Sequence, residues 1–206
     1  MNVRNPEAGA TLRPGYNGRM SDLPFLTGQL LIAMPGLRDP DFDHTVTLIC
    51  QHSEEGALGL VINRASEYRM ADLLRHLDLA TGDAALAAQP VLLGGPLQRE
   101  RGFVLHAPDG RWAASHAIDA QLSLTTSRDI LEALAAGHGP PQMLAALGYA
   151  GWEAGQLERE LRENAWLTAA ADHEILFDVP LEQRWTAAAA RMGVDAQRLS
   201  PYAGNA

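Results

Sequence analysis

Apolar residues along this chain fall into short runs and stripes of two different periods, punctuated by Gly, Pro and Asp. Residues 28–34 form an apolar run that stops at Pro35, which predicts a buried strand. Residues 44–52 alternate, with Val46, Leu48 and Cys50 on one face and Thr45, Thr47 and Gln51 on the other. Residues 53–56 turn the chain, and 57–62 return as a second strand, giving a hairpin. Met70, Leu73, Leu74 and Leu77 share one helical face. Residues 81–89 are Ala-rich and read as loop. Strands are expected at 90–96, broken by Gly94-Gly95-Pro96, and at 102–106, 112–115 and 121–125. Thr126 and Asp129 have the spacing of a capped helix start, and Ile130, Leu131 and Leu134 supply the apolar stripe that follows. Residues 143–149 fit helix or strand equally. Residues 152–164 read as a helix, 175–177 as a short strand, and the stretch from Pro180 to Gly193 as a last helix. Strands crowd the middle and helices the final third without a βαβ repeat, which predicts an α+β fold on a mostly antiparallel sheet.

Residues 1–25 are rich in Gly, Pro, Asn and Arg and lack apolar periodicity, so they are expected to be a disordered extension before a single domain over 26–206. Met20 offers a second possible start. The N-terminus has no secretory apolar core, and no apolar stretch approaches the ~20 residues needed to span a bilayer. Both absences predict a cytoplasmic protein without membrane contact.

Charge and composition narrow the chemistry. Lys and Arg together number 16 against 25 Asp and Glu, a net charge of −9, and no Lys is present. A P-loop is therefore excluded, because its Lys must reach the phosphates. The acidic balance and the lack of a basic recognition helix argue against direct nucleic-acid binding. One cysteine, Cys50, cannot form an internal disulfide or a multi-cysteine zinc site. His44, Cys50 and His52 share strand parity, but the outer two would lie ~26 Å apart on an extended strand. They do not wrap an ion, and no metal or cofactor is expected. Ser115, His116 and Asp119 hold the residue types of a triad, yet no Gly-x-Ser-x-Gly elbow accompanies them, and their adjacency is read as coincidence. Trp152, Trp166 and Trp185 have apolar neighbours and read as core.

Several ordered stretches resemble the AlgH/YqgE family of bacterial proteins. Among them are Leu31-Ile-Ala-Met-Pro-Gly-Leu-Arg-Asp-Pro-Asp-Phe42, Gly56-Ala-Leu-Gly-Leu-Val-Ile-Asn63, Leu93-Gly-Gly-Pro96, Arg101-Gly-Phe-Val-Leu-His106, Thr125-Thr-Ser-Arg-Asp129 and Leu147-Gly-Tyr-Ala-Gly-Trp152. The resemblance implies a bifurcated sheet, partly closed into a small barrel and surrounded by helices. It also implies a label as a transcriptional regulator linked to alginate production, without an established activity or cofactor. Three functions then compete. The first is a regulatory protein that binds a protein partner or a small anionic ligand. Its donors would be Asn63, Arg64, Gly94, Gly95, Pro96, Arg101, Ser127 and Arg128, set at one common spot. The second is an enzyme with His52, His106 or Asp129 as acid–base groups in a cleft. The third is a direct DNA-binding regulator. Each glycine and capping residue in the first set also has a purely structural reading, as a crowded strand end or a helix cap.

Overall fold

The computed structural model describes residues 25–37 and 39–194. The expected extension therefore lies outside the described residues except for Phe25, as does the C-terminal tail from residue 195. The chain builds β1 (Gln29–Ala33), β2 (Val46–Ser53), β3 (Gly56–Val61), β4 (Ala65–Arg69), α1 (Met70–His76) and α2 (Ala84–Ala88). There follow β5 (Pro90–Leu93), β6 (Leu97–His106), β7 (Ser115–Ala117), β8 (Ser123–Thr125) and α3 (Arg128–Ala135). The last part holds β9 (Met143–Glu153), α4 (Gln156–Arg162), β10 (Trp166–Ala170) and α5 (Arg184–Arg191).

Apolar residues on both faces of β1 make it a central strand. Leu30 and Ile32 enter one core, Leu31 and Ala33 another, and all four are fully buried. The main sheet runs β10-β1-β2-β3-β9-β6-β8-β7 and curls into a half-barrel. Its bifurcation is at β9. The C-terminal part of β9 pairs with β3, Gly56 opposite Glu153 through Gly59 opposite Ala150. Its middle pairs in parallel with β5, Leu92 opposite Ala146 and Leu93 opposite Leu147. β5 in turn carries β4.

Three cores follow from this branching. Leu30, Ile32, Leu48, Leu60 and Leu105 lie under α5 and a π-helical turn at Glu174–Asp178. Met70, Leu74, Val91, Val104 and Ile130 lie between α1, α3 and the sheet. Leu31, Ile49, Trp152, Leu157 and Trp166 lie under α4. All three tryptophans read as core are buried. Two hydrogen-bonding side chains at the start of α5 fasten it. The Trp185 indole donates to the Ala33 carbonyl at 2.9 Å. Arg184, 3 % exposed, donates through Nε to the Val179 carbonyl at 3.0 Å and through one terminal nitrogen to the Ile62 carbonyl at 2.5 Å. Burial pushes its guanidinium down to about 10.

Several expectations are corrected. Residues 143–149, left open between helix and strand, are strand, part of the long β9, because both of its edges are paired. Trp152 belongs to that strand, and the following helix starts only at Gln156. Residues 175–177 form a π-helical turn in place of a strand, which buries Ile175 and Leu176 together. Residues 84–88 are helical, capped by the Asp83 carboxylate on the Ala85 and Leu86 amides. The strand expected at 112–115 begins only at Ser115. Among the described residues no helix is long and apolar enough to cross a membrane.

The tightest point of the fold is where Gly94 and Gly95 cross β9. The Gly94 amide donates to the Leu147 carbonyl at 2.8 Å, and its carbonyl accepts from the Val61 amide at 2.8 Å. A Cβ on Gly94 would stand 2.4 Å from the Gly148 carbonyl oxygen, and one on Gly95 would stand 2.2 Å from the Tyr149 carbonyl carbon. Gly95 also has φ +155, where a side chain is strained. The neighbour in both cases is backbone, which cannot rotate aside. Gly95→Ala is expected to lower stability by more than ~3 kcal/mol, overpacking and strain adding. Gly82→Ala, with nothing within 4 Å of the new methyl, is expected to leave the denaturation midpoint within about 0.5 kcal/mol of wild type. Chemical denaturation of the two variants checks both.

Candidate functional site

Asn63 and Arg64 follow β3 and immediately fasten the segment that leads into β2. The Asn63 Oδ1 accepts from the Val46 amide at 2.8 Å, while its Nδ2 donates to the His44 carbonyl at 2.9 Å. The side-chain amide thus acts as one more rung of the ladder. Arg64 donates to the carbonyls of Pro40 (3.0 Å), Asp41 (2.9 Å) and Asp43 (2.8 Å), gathering the turn into a fixed shape. The Arg64 carbonyl accepts from the Leu93 amide at 2.9 Å, which sets this clamp beside the Gly94–Gly95 crossing.

Past Pro96 the chain makes an excursion. Pairing with β9 jumps from Leu97 opposite Tyr149 to Gly102 opposite Leu147, so residues 98–101 face Gly148 alone. Gln98 takes a left-handed φ of 45 to begin the detour. Leu97 is 43 % exposed, and Arg99 and Arg101 are exposed beside it. The Arg99 guanidinium lies 3.6 Å from the Asp41 carboxylate, tying the excursion to the turn that Arg64 holds. The Arg101 guanidinium sits 5.2 Å above the Phe103 ring, an arrangement that supports a cation on an aromatic face. The structure therefore brings Asn63, Arg64, Gly94, Gly95, Pro96 and Arg101 into one neighbourhood.

Ser127 and Arg128 sit elsewhere. Ser127 donates to the Asp129 carboxylate at 2.5 Å and accepts from the Ala114 amide at 3.0 Å. Asp129 also accepts from the amides of Ala113 (2.7 Å) and Ile130 (3.0 Å). The Ser127 hydroxyl and then the Ala113 amide hold this carboxyl below the usual carboxylate range. The start of α3 is thus already occupied by the chain's own negative charge. Arg128 donates to Glu132 at 2.8 Å and to the Leu77 carbonyl at 2.7 Å, strapping α3 to the end of α1. No hydrogen bond or ion pair among the described residues joins these two to the Gly94–Gly95 crossing.

The acid–base candidates are likewise separated. His52 accepts the Leu26 amide on Nδ1 at 2.9 Å, so Nε2 carries the proton donated to Glu158 at 2.9 Å. The ring thus ties the segment before β1 to α4, one nitrogen on each. His106 is buried at the end of β6, with Nδ1 on the Ala107 carbonyl at 2.5 Å and Nε2 on the Thr125 hydroxyl at 2.8 Å. Desolvation pulls its pKa below the ordinary imidazole value. Thr125 also meets Ser115 at 2.5 Å. This Ser115–Thr125–His106 string was not signalled by residue spacing, since it needs the register of β7 on β8, where Ser115 faces Thr125. Asp119, from the apparent triad, instead caps the Gln121 and Leu122 amides.

A second group missed from sequence is Glu160, whose carboxylate accepts both the Trp152 indole at 2.9 Å and the Trp166 indole at 2.8 Å. Among the described residues no three His, Cys, Asp or Glu side chains are grouped to hold a metal. Burial pushes the Cys50 thiol up to about 12, which leaves it unreactive.

Comparison with known proteins follows the same lines. Residues 30–197 match the sequence profile of the AlgH-like family. A UPF0301 protein of Thioalkalivibrio sulfidiphilus is 55 % identical over 180 residues, covering 87 % of this chain and 96 % of that protein. A UPF0301 protein of Xanthomonas campestris is 55 % identical over 188 residues, 91 % of this chain and 100 % of the relative. The solution structure of the AlgH protein from Pseudomonas aeruginosa aligns with a TM-score of 0.73 at 45 % identity, covering 96 % of this chain and 100 % of that one. A crystal structure of a Corynebacterium diphtheriae protein shares the fold, with a TM-score of 0.64 at 21 % identity over 89 % of this chain and 94 % of that one.

The α3 cap gives a pH-dependent prediction. Asp129 has a folded pKa below its unfolded value, so its stabilisation is present above the unfolded pKa and is lost as pH falls through the folded one. Asp129→Ala is expected to cost about 1 kcal/mol near neutral pH. The gap between variant and wild type should narrow as pH falls through the lowered titration of this carboxyl and the wild-type group protonates too. Denaturation midpoints measured across this range check the sign.

Proposed function

The chain belongs to the AlgH-like family, and from that premise we propose that it is a cytoplasmic regulatory protein that binds an acidic segment of a protein partner at the excursion spanning residues 97–101. The observation that carries this reading is the combination of exposed Leu97 with the exposed guanidinium groups of Arg99 and Arg101 on a detour fixed at both ends by β9. Arginine is among the residues in which binding energy concentrates at protein contacts, and Leu97 adds apolar area beside it. The preformed backbone adds little ordering cost on binding.

A small anionic ligand is the weaker alternative. A receptor for a free anion needs convergent donors, and the nearby ones are engaged. The Gly94 amide holds Leu147, and Arg64 holds three turn carbonyls. Leu97 and Arg101 lie exposed beside Arg99, which already meets Asp41, and this favours a partner that brings its own surface. The guanidinium groups would supply bidentate bonds to its carboxylates.

A photoreactive residue in place of Gln98 is expected to trap a partner in the source cells. The adduct should disappear with Arg99→Glu and Arg101→Glu combined and persist with Arg159→Glu on α4. An adduct indifferent to charge reversal at 99 and 101 counts against the reading. A rise in melting temperature with phosphate or citrate that depends on Arg101 would instead favour the small anion.

A further inference from the structure

The hydroxyl string that ends at Ser115 permits one arrangement of its protons while His106 is neutral. The His106 Nδ1 faces the Ala107 carbonyl oxygen at 2.5 Å, and a carbonyl oxygen only accepts, so Nδ1 carries the ring proton. Nε2 then presents a lone pair and accepts the Thr125 hydroxyl proton at 2.8 Å. Thr125 has no second hydroxyl proton. The Ser115 hydroxyl, 2.5 Å away, must therefore donate to Thr125. Proton donation runs inward, from Ser115 through Thr125 to His106, and the Ser115 lone pairs are turned outward. Thr125 and His106 are buried, whereas Ser115 is exposed.

We infer that Ser115 is a nucleophile toward small acyl esters, with His106 as its base through the Thr125 hydroxyl. A base set by a third group, beside an exposed hydroxyl, is the general pattern of an activated nucleophile. Here the Ala107 carbonyl sets the imidazole, and burial keeps the imidazole neutral and ready to accept. The edge position leaves a backbone donor free for a developing oxyanion. The Thr126 amide donates to the Ala114 carbonyl, and the Ile118 amide to the Leu122 carbonyl. By antiparallel alternation the Ser115 and Ala117 amides point away from β8, on the open side of β7.

In the reaction the Ser115 oxygen bonds to the acyl carbon as its proton moves to Thr125 and the Thr125 proton moves to His106 Nε2. The carbonyl electron pair shifts to oxygen, then returns as the bond to the leaving alcohol breaks. That alcohol leaves with the proton sent back along Thr125. Water repeats the sequence on the acyl-serine, releasing the acid and restoring Ser115. The assignment is independent of the protein contact proposed above, since it uses neither the excursion nor its arginines.

The test treats the full chain with a fluorophosphonate probe and locates the modified residue by mass spectrometry. Ser115 is expected to be labelled at least ~10-fold faster than Ser53, with Thr125→Val and His106→Gln each slowing it by a similar factor. Thr125→Ser, which keeps the hydroxyl, should retain the wild-type rate, and Ser115→Ala should abolish labelling at that position. p-Nitrophenyl acetate should give a burst of one nitrophenol per chain. Labelling of wild-type Ser115 no faster than Ser53, or an undiminished rate in Thr125→Val, overturns the inference. Should the buried variants fail to fold, the p-nitrophenyl acetate burst decides it: present in wild type and lost in Ser115→Ala, at an exposed position, it supports the inference, and its absence from wild type overturns it.

Discussion

The whole arrangement depends on two backbones lying closer than any side chain allows, where Gly94 and Gly95 pass over β9. With no Cβ in the way, the Gly94 amide reaches Leu147 and its carbonyl reaches Val61. That contact lets β5 join β9 in parallel while β3 keeps the other half of the same strand. The fork separates the core under α1 and α3 from the core under α5. It also fixes where Arg64 stands and where the chain must detour at residues 98–101.

Polar side chains that look like ligand donors in isolation mostly act as fasteners inside this frame. Asn63 extends a ladder, Arg64 shapes a turn, and Asp129 closes a helix start. His52 and Glu158 anchor α4, while Glu160 satisfies two indoles whose N–H groups burial would otherwise leave unpaired. Such groups cost free energy if unmet, so their presence in a motif says as much about folding as about binding. Capacity for chemistry has to be sought among the groups left over. These are Leu97 and Arg101 on the excursion and the outward-facing oxygen of Ser115.

How far the sequence revealed this architecture depended on whether a local period had one structural answer. The apolar run of β1 and the turn at residues 53–56 had one. β9 did not, because Ala145, Ala146, Gly148, Ala150 and Gly151 are small enough to satisfy either period. What decides it is pairing on both edges, a non-local fact. β4 escaped notice because most of its residues are exposed, and its strand character comes from β5 alone. The candidate site was half legible. Motif neighbours such as Asn63 with Arg64, and Gly94 with Gly95, did fall together, since one short ladder connects them. Ser127 and Arg128 did not, because a helix start and a strap to α1 claim them. The Ser115 string was invisible because residues ten and nineteen positions apart meet only through sheet register.

The placement of β1 has a bearing on synthesis at the ribosome. This strand, near the beginning of the described chain, pairs on one side with β10, and the Ala33 carbonyl at its end receives the Trp185 indole. A nascent chain that has emerged only through α4 carries β1 with one edge bare and its core lidless. Closure of that ~140-residue loop adds an entropic cost that grows only slowly with length, but it cannot begin before those late residues are outside the exit tunnel. Completion of the fold consequently waits for β10 and α5, and the interval before they arrive is when chaperones or proteases would meet the uncovered strand.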